Sequence, residues 1–473
     1  MKSHALNRQL SEKIVKFKTL NKIISIISFD PIFNEFTLYN YLKIICIGFI
    51  LPLFFSCNNN DRDKDGVLDK NDHCPDIFAK TKDGCLPKEI DNVHFYIETS
   101  ASMGGYFNKD AEFKTIVSDL TTKIEKNIKP LDIWFIAETE SKYTKSTPQF
   151  SSDLATTKIA DQKSSELHKI ISNITTKNDS NDVTLLVSDC ILSFSDKDIK
   201  ANPEVNKHEA PNALKNNIYS TFADLKKKGF ATSIYAFNSK FYGTYYNYQN
   251  GKTMLKGLKR PFYLWVIADK EILGKFNAKL NDIPTFKPEK YLHFGLNEEP
   301  ITYYDLIPQI ERKGNWMKCS QGLKDIEINN TEPLQFCIAF NLDNLPEYAK
   351  DIAYLQANLK IDNSGCEASF EVKDKSKVDK SKLKSQPQIE SLERATHTII
   401  FKVKEMVLSE AKINITLPLH YDTWYLDWSS ADDKDLSKVE GKTFALEFLI
   451  SGVKDAYETK NKNYIDFSLT LKK

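Results

Sequence analysis

The sequence predicts an α/β fold, a doubly wound and mostly parallel sheet, followed by a C-terminal β-sandwich region. Three observations lead there. From Val93 to about Pro284, short apolar runs alternate with segments of helical period, the pattern of strands joined by crossover helices. From about 286 onward the apolar residues recur mainly every second position, as in half-buried strands. Aromatic residues make up 12 % of the chain and glycine only 16 of 473 residues, a composition for packed strands rather than flexible linkers.

That length exceeds one ordinary domain. The chain divides on paper into a signal region (1–56), a short acidic spacer (57–90), the α/β domain (91–285) and the β-rich region (286–473). Lys plus Arg is 65 and Asp plus Glu is 64. This balance gives no reason to propose a nucleic acid as partner.

The longest apolar run, Ile44–Phe55, is too short for a comfortable membrane span and fits the hydrophobic part of a signal peptide. It ends in Leu53-Phe54-Phe55-Ser56-Cys57. This resembles a bacterial lipobox, which implies diacylation of Cys57, cleavage before it and a stable lipid anchor. The residues ahead of the run exceed what a signal peptide needs and are read as an over-extended start. The acidic stretch after Cys57 is similar to the export tags of surface lipoproteins in Bacteroidetes-like bacteria. The expected location is the bacterial outer membrane, lipid-anchored, facing the periplasm or the outside.

Asp61 to Pro75 reads DRDKDGVLDKNDHCP. Carboxylates at positions one, three, five, nine and twelve, with glycine at six, give the spacing of an EF-hand-type calcium loop. With the Cys-Pro that follows, the stretch resembles a thrombospondin type 3 repeat. The resemblance implies Ca²⁺ ligation by Asp61, Asp63, Asp65 and Asp72, with Val67 through its carbonyl and Asp69 and Asp76 accessory. Cys74 and Cys85 bracket the unit and are expected to pair in an exported chain. Of the eight cysteines, the pairing of Cys190, Cys319, Cys337 and Cys366 stays open, and no Cys-x-x-Cys points to zinc or redox chemistry.

In the α/β region the expected elements run in order. Val93–Ile97 is a strand, Glu112–Ile128 a helix, Leu131–Ala137 a strand and Ser164–Ile174 a helix. Val183–Val187 is a buried central strand, Asn212–Lys228 a helix, and Phe230–Phe237 and Phe262–Ala268 are strands. The Tyr- and Gly-rich stretch between Asn238 and Arg260 reads as an extended hairpin.

Two strand ends carry chemistry. The first gives Glu98-x-Ser100-x-Ser102, followed by Met103, and the central strand gives Asp189. In a doubly wound sheet both can face one crevice. The set resembles the metal-ion-dependent adhesion site of von Willebrand factor type A domains. That family has an Asp-x-Ser-x-Ser loop after its first strand, a threonine before a later helix and an aspartate after the central strand. The resemblance implies a Mg²⁺ or Mn²⁺ site built from Glu98, Ser100, Ser102, Ser165 and Asp189, with an open coordination position for a partner's carboxylate. Three positions depart from the pattern: Glu98 stands for aspartate, Ser165 for threonine, and Cys190 for the glycine after Asp189. The extra methylene of Glu98 would push the ion or its water shell outward. The competing reading has Ser100 and Ser102 capping the following helix and Asp189 paired locally.

Beyond 286 the expected strands are Thr331–Leu342, Leu355–Ile361, Glu367–Val372, Thr396–Val403, Ala411–Leu417, Ala445–Leu449 and Ile465–Leu471. Lys373–Lys384 reads as a solvated basic loop. The aromatic and acidic stretch Tyr421–Asp433 has two readings, a ligand platform or core packing at a strand end, and core packing is the expectation. No nucleophile elbow, Walker loop or His-Glu-x-x-His is present, so a non-enzymatic role is expected. The leading expectation is adhesion or protein–protein assembly at the membrane through a protein partner. A metal-dependent hydrolase of phosphate or sulfate esters and a structural envelope protein with a degenerate metal site are the alternatives.

Overall fold

Val93–Glu98 (β1) is an interior strand of a seven-stranded mixed sheet. The structure, a computed structural model, describes residues 61–65, 67, 69, 72, 74–79, 84–156, 159–160, 166–177, 179–191, 200, 205–296, 299–328, 333–343 and 345–473. The chain forms two compact units, Met1–Pro87 and Lys88–Lys473.

In the second unit β1 is joined by Leu131–Ile136 (β2), Glu140–Lys142 (β3), Val183–Ser188 (β4), Phe230–Tyr246 (β5), Lys252–Asp269 (β6) and Lys290–Phe294 (β7). The spatial order is β3-β2-β1-β4-β6-β5-β7. β1 runs parallel to β2 and β4. The other ladders are antiparallel, so the sheet is mixed and the expected mostly parallel arrangement is corrected. The cause is the stretch 238–260. It is the distal part of a long hairpin between β5 and β6, and a hairpin can only join antiparallel neighbours. The two apolar runs FATSIYAF and FYLWVIA mimic parallel strands because helices bury both faces of the sheet, whatever the strand direction.

One face carries Phe95, Ile97, Leu185 and Val187 against the helices Glu112–Asn127 and Lys270–Asn281. The other carries Tyr96, Leu186, Ile234 and Trp265 against Leu167–Thr175 and Val205–Lys227. A helix from the far end of the chain, Leu446–Tyr457, completes that second layer. The expected strand at Ala445–Leu449 is therefore replaced by this helix. Leu446, Leu449, Ile450 and Val453 are all buried, a helical stripe that a five-residue window does not reveal. Trp424 and Tyr425 belong to the same core, so the stretch 421–457 packs with the α/β sheet rather than with the β-rich region.

The β-rich part consists of two sheets. The five-stranded sheet takes Lys360–Ser364, Glu410–Pro418, Asn463–Lys472, Gly322–Glu327 and Asn315–Cys319, in that spatial order. The four-stranded sheet takes Cys366–Asp374, His397–Met406, Leu334–Phe340 and Asp305–Leu306. Phe336, Ile338, Phe401 and Val403 of one sheet and Ile413, Ile415, Phe467 and Leu469 of the other share a single core. The expected strand Leu355–Ile361 is split: Ile352–Asn358 is helical, capped by the Asp351 side chain, and the strand begins at Lys360. Lys373–Lys384 begins in a strand and turns through Lys375–Lys377, with Val378 buried beneath it.

Candidate functional site

The parallel register of β1 and β4 pairs Ile97 with Val187. It therefore brings the next residues, Glu98 and Ser188, side by side at the carboxyl end of the sheet. Ser188 Oγ donates to Glu98 Oε2 at 2.5 Å, and the amide of Cys190 donates back to Ser188 Oγ at 2.8 Å. Beyond β1 the chain turns at once into the 3₁₀ segment Ala101–Phe107. Gly105 lets this segment lie flat on the long hairpin, because a Cβ there would stand 2.3 Å from the Phe241 ring.

Ser100 stands at the cap position of that segment but its side chain makes no cap hydrogen bond. Its hydroxyl donates to Glu98 Oε1 at 2.6 Å and lies 3.0 Å from the Ser102 hydroxyl. Ser100 thus serves the carboxylate instead of capping. Asp189 Oδ1 accepts the amide of Ile191 at 3.1 Å, the local pairing the competing reading expected. Its Oδ2 is sealed and has no hydrogen-bond partner among the described residues. All four side chains, Glu98, Ser100, Ser102 and Asp189, are buried. Ser165 and Cys57 lie outside the described residues.

Two carboxyls sealed side by side disfavour double ionisation. Burial first, and then the charge of Asp189, pushes Glu98 up to about 7, against the pull of the Ser100 and Ser188 hydroxyls. Burial also raises Asp189, while the Ile191 amide, Ser102 and the charge of Arg260 restrain the rise. Arg260 is itself 1 % exposed. It donates to the carbonyls of Val439 (2.8 Å) and Lys442 (2.6 Å) and lies 4.5 Å from the centre of the Tyr245 ring. Tyr245 in turn donates to buried Asp433.

Arg260 and Ser188 are the residues that motif reading missed. Ser188 was only the neighbour of a motif residue. Arg260 had a signal: a cation at the head of a wholly apolar strand asks for a buried partner.

The donor set is hard oxygen, which suits Mg²⁺ or Mn²⁺. The unpartnered Asp189 Oδ2 is the atom that a cation would satisfy. Glu98, Ser100, Ser102 and Asp189 would hold it.

In the first unit, Asp61, Asp63 and Asp65 bring carboxylate oxygens within 4.8 Å of one another. Asp63 Oδ2 and Asp72 Oδ2 are buried without a hydrogen-bond partner among the described residues. Asp65 accepts the Val67 amide and Asp72 accepts the Cys74 amide, each at 2.7 Å. Asp69 and Asp76 are both taken by Arg62, which leaves the other acids to the loop interior. Burial first, and then the charges of Asp65, Asp72 and Asp61, raises Asp63 against the Asp65 amide it accepts. A calcium ion would relieve that repulsion, so the residues fit the ion. Cys74 and Cys85 are disulfide-bonded, while Cys190, Cys319, Cys337 and Cys366 are unpaired.

The chain matches no family model, no curated protein and no solved structure.

Proposed function

We propose that this chain is a surface-anchored lipoprotein acting in adhesion or protein assembly. Its contact face is the carboxyl end of a von Willebrand factor type A-like sheet, with a Mg²⁺ or Mn²⁺ ion at Glu98, Ser100, Ser102 and Asp189. A lipidated Cys57 and a calcium-stiffened thrombospondin type 3-like spacer precede that domain in the sequence. The observation that carries the reading is the gathering of two carboxylates and two serines at the adjacent carboxyl ends of β1 and β4, with Asp189 Oδ2 buried and unpartnered among the described residues. When bound, the ion would neutralise the paired carboxylates and offer a position to a partner's carboxylate.

A second reading has a specific observation in its favour. Arg260 already places a buried positive charge where it acts on Asp189. The chain would then assemble through the same face without an ion, as a structural envelope protein.

The test is calorimetric titration of the purified chain with Mn²⁺, beside capture of envelope proteins with and without chelator. The ion-dependent reading expects binding and capture, both lost in Ser100→Ala plus Asp189→Ala. Capture that survives both chelator and the double substitution overturns it in favour of the ion-free reading.

A further inference from the structure

A second site lies on the same unit, apart from the Glu98 cluster. Between β7 and the segments 346–354, 420–422 and 464 there is a half-open cleft of about 390 Å³. That is within the size range of small-molecule pockets. Five of its twelve lining residues are tyrosines: Tyr291, Tyr348, Tyr354, Tyr421 and Tyr464. Tyr464 is buried and the other four are half-buried.

These rings are held in place. Tyr348 and Tyr354 meet edge to face at 5.2 Å. The Tyr348 and Tyr464 hydroxyls lie 3.0 Å apart, and both donate to the His420 carbonyl. Tyr421 stacks on Phe294 at 5.4 Å, and Tyr291 packs on His293 at 5.2 Å. Fixed rings lose little freedom when a ligand settles on them.

The polar groups of the cleft come in both senses. Asp422 and Glu289 supply carboxylates and Lys290 an ammonium. Asp422 is fixed because its Oδ1 accepts the Trp424 amide at 3.1 Å. His293 is set by a relay from below. Tyr235 donates to Asn277 Oδ1, Asn277 Nδ2 donates to Ser233 Oγ, and Ser233 is left to donate to His293 Nδ1. The imidazole is then neutral with its proton on Nε2. Burial pushes it down to about 4, in the same sense.

This chemistry selects among ligands. An anion site would gather cations, but here Lys290 is the one lysine or arginine among the lining residues, the His293 imidazole is neutral, and Asp422 and Glu289, the latter paired with Lys259, are carboxylates. An apolar ligand would strand those groups. A sugar ring satisfies both demands. Its C–H faces pack on aromatic rings, while its hydroxyls donate to carboxylates and accept from N–H groups. We propose that this cleft binds a short neutral saccharide, with Tyr348 and Tyr354 as packing surfaces and Asp422 as the principal acceptor. The proposal is independent of any metal at Glu98.

The test is saturation-transfer NMR on the full chain with maltotriose, cellotriose, chitotriose and mannotriose, followed by calorimetry on whichever binds. The expected result is a dissociation constant of about 1 mM or tighter for at least one of them. It should weaken at least tenfold in Tyr354→Ala and in Asp422→Asn. Asp422 is exposed and Tyr354 half-buried, and unchanged melting curves for the variants establish that they fold. Absence of binding by all four sugars overturns the proposal. So does binding that neither substitution weakens, or a preference for sulfated sugars or inorganic phosphate over the neutral set.

Discussion

Glu98 is the residue on which the site's electrostatics turn. Its carboxyl is raised from the usual 4.5 to about 7 by burial and by Asp189. The folded state therefore holds a proton that the unfolded chain has already released, and that stabilising difference is lost as pH rises from about 4.5 to about 7. The loss is on the order of 3 kcal/mol. Replacing Glu98 by glutamine removes the titration and keeps the shape. In metal-free protein, urea unfolding should show the stability difference between wild type and Glu98→Gln changing across that window, with wild type losing ground as pH rises. Excess Mn²⁺ should abolish the change by holding both carboxylates ionised, if the ion binds. A pH-independent difference in metal-free protein would refute the coupling. Arg260 carries the opposite charge in the same core, and Arg260→Met would leave Asp189 without it and two carbonyls without their donor. Removing one member of a buried charge set costs about 3–5 kcal/mol, readable as a lower denaturation midpoint, and a loss below about 1 kcal/mol would remove Arg260 from the site's charge balance. At this scale the sequence was half legible. Ser100 and Ser102 announce themselves through their spacing, and Glu98 through its place at a strand end. Arg260 shows only that it needs a buried partner, and its tie to Asp433 through Tyr245 is not legible, because no local pattern joins positions so far apart in the chain.

Among the elements, the strand ends were easier to find than the strand directions. A parallel and an antiparallel strand covered on both faces have the same apolar sequence, so FYLWVIA could not reveal that it runs against β4. The helix Leu446–Tyr457 was hidden for a related reason. Its apolar stripe fits no nearby partner in sequence, since it packs beside Val205–Lys227, more than 200 positions away. The contact is close: a Cβ added to Gly452 would stand 2.6 Å from the Lys215 carbonyl oxygen. Gly452→Ala must push the two helices apart. A cost of about 1–3 kcal/mol is expected, although alanine is intrinsically the better helix former. Thermal unfolding decides between the two effects. A higher melting temperature would mean the helices are not held at that distance.

At the scale of the whole molecule the chain separates into two compact units with different means of support. Lys88–Lys473 rests on large apolar cores. The described part of Met1–Pro87 has three large apolar side chains exposed, Ile77, Phe78 and Leu86, and it is held by the Cys74–Cys85 disulfide, by Arg62 clamped between Asp69 and Asp76, and by the folded acidic loop. Small units without a core commonly depend on a disulfide or a metal. The loop's acids repel one another, and Asp63 is raised by the burial and charge that a cation would offset. Calcium should therefore bind with a dissociation constant of about 10⁻⁴ to 10⁻³ M, the range of extracellular modules. Chelation should expose the stretch 61–85 to limited proteolysis. Asp63→Asn or Asp72→Asn should weaken calcium binding at least tenfold and give the same cleavage with calcium present. The melting transition of Lys88–Lys473 should not move in any of these conditions, because its cores contain no residue of the loop. Cleavage that ignores calcium would mean that the disulfide and Arg62 suffice. A melting transition that follows calcium would mean that the large unit holds a calcium site of its own.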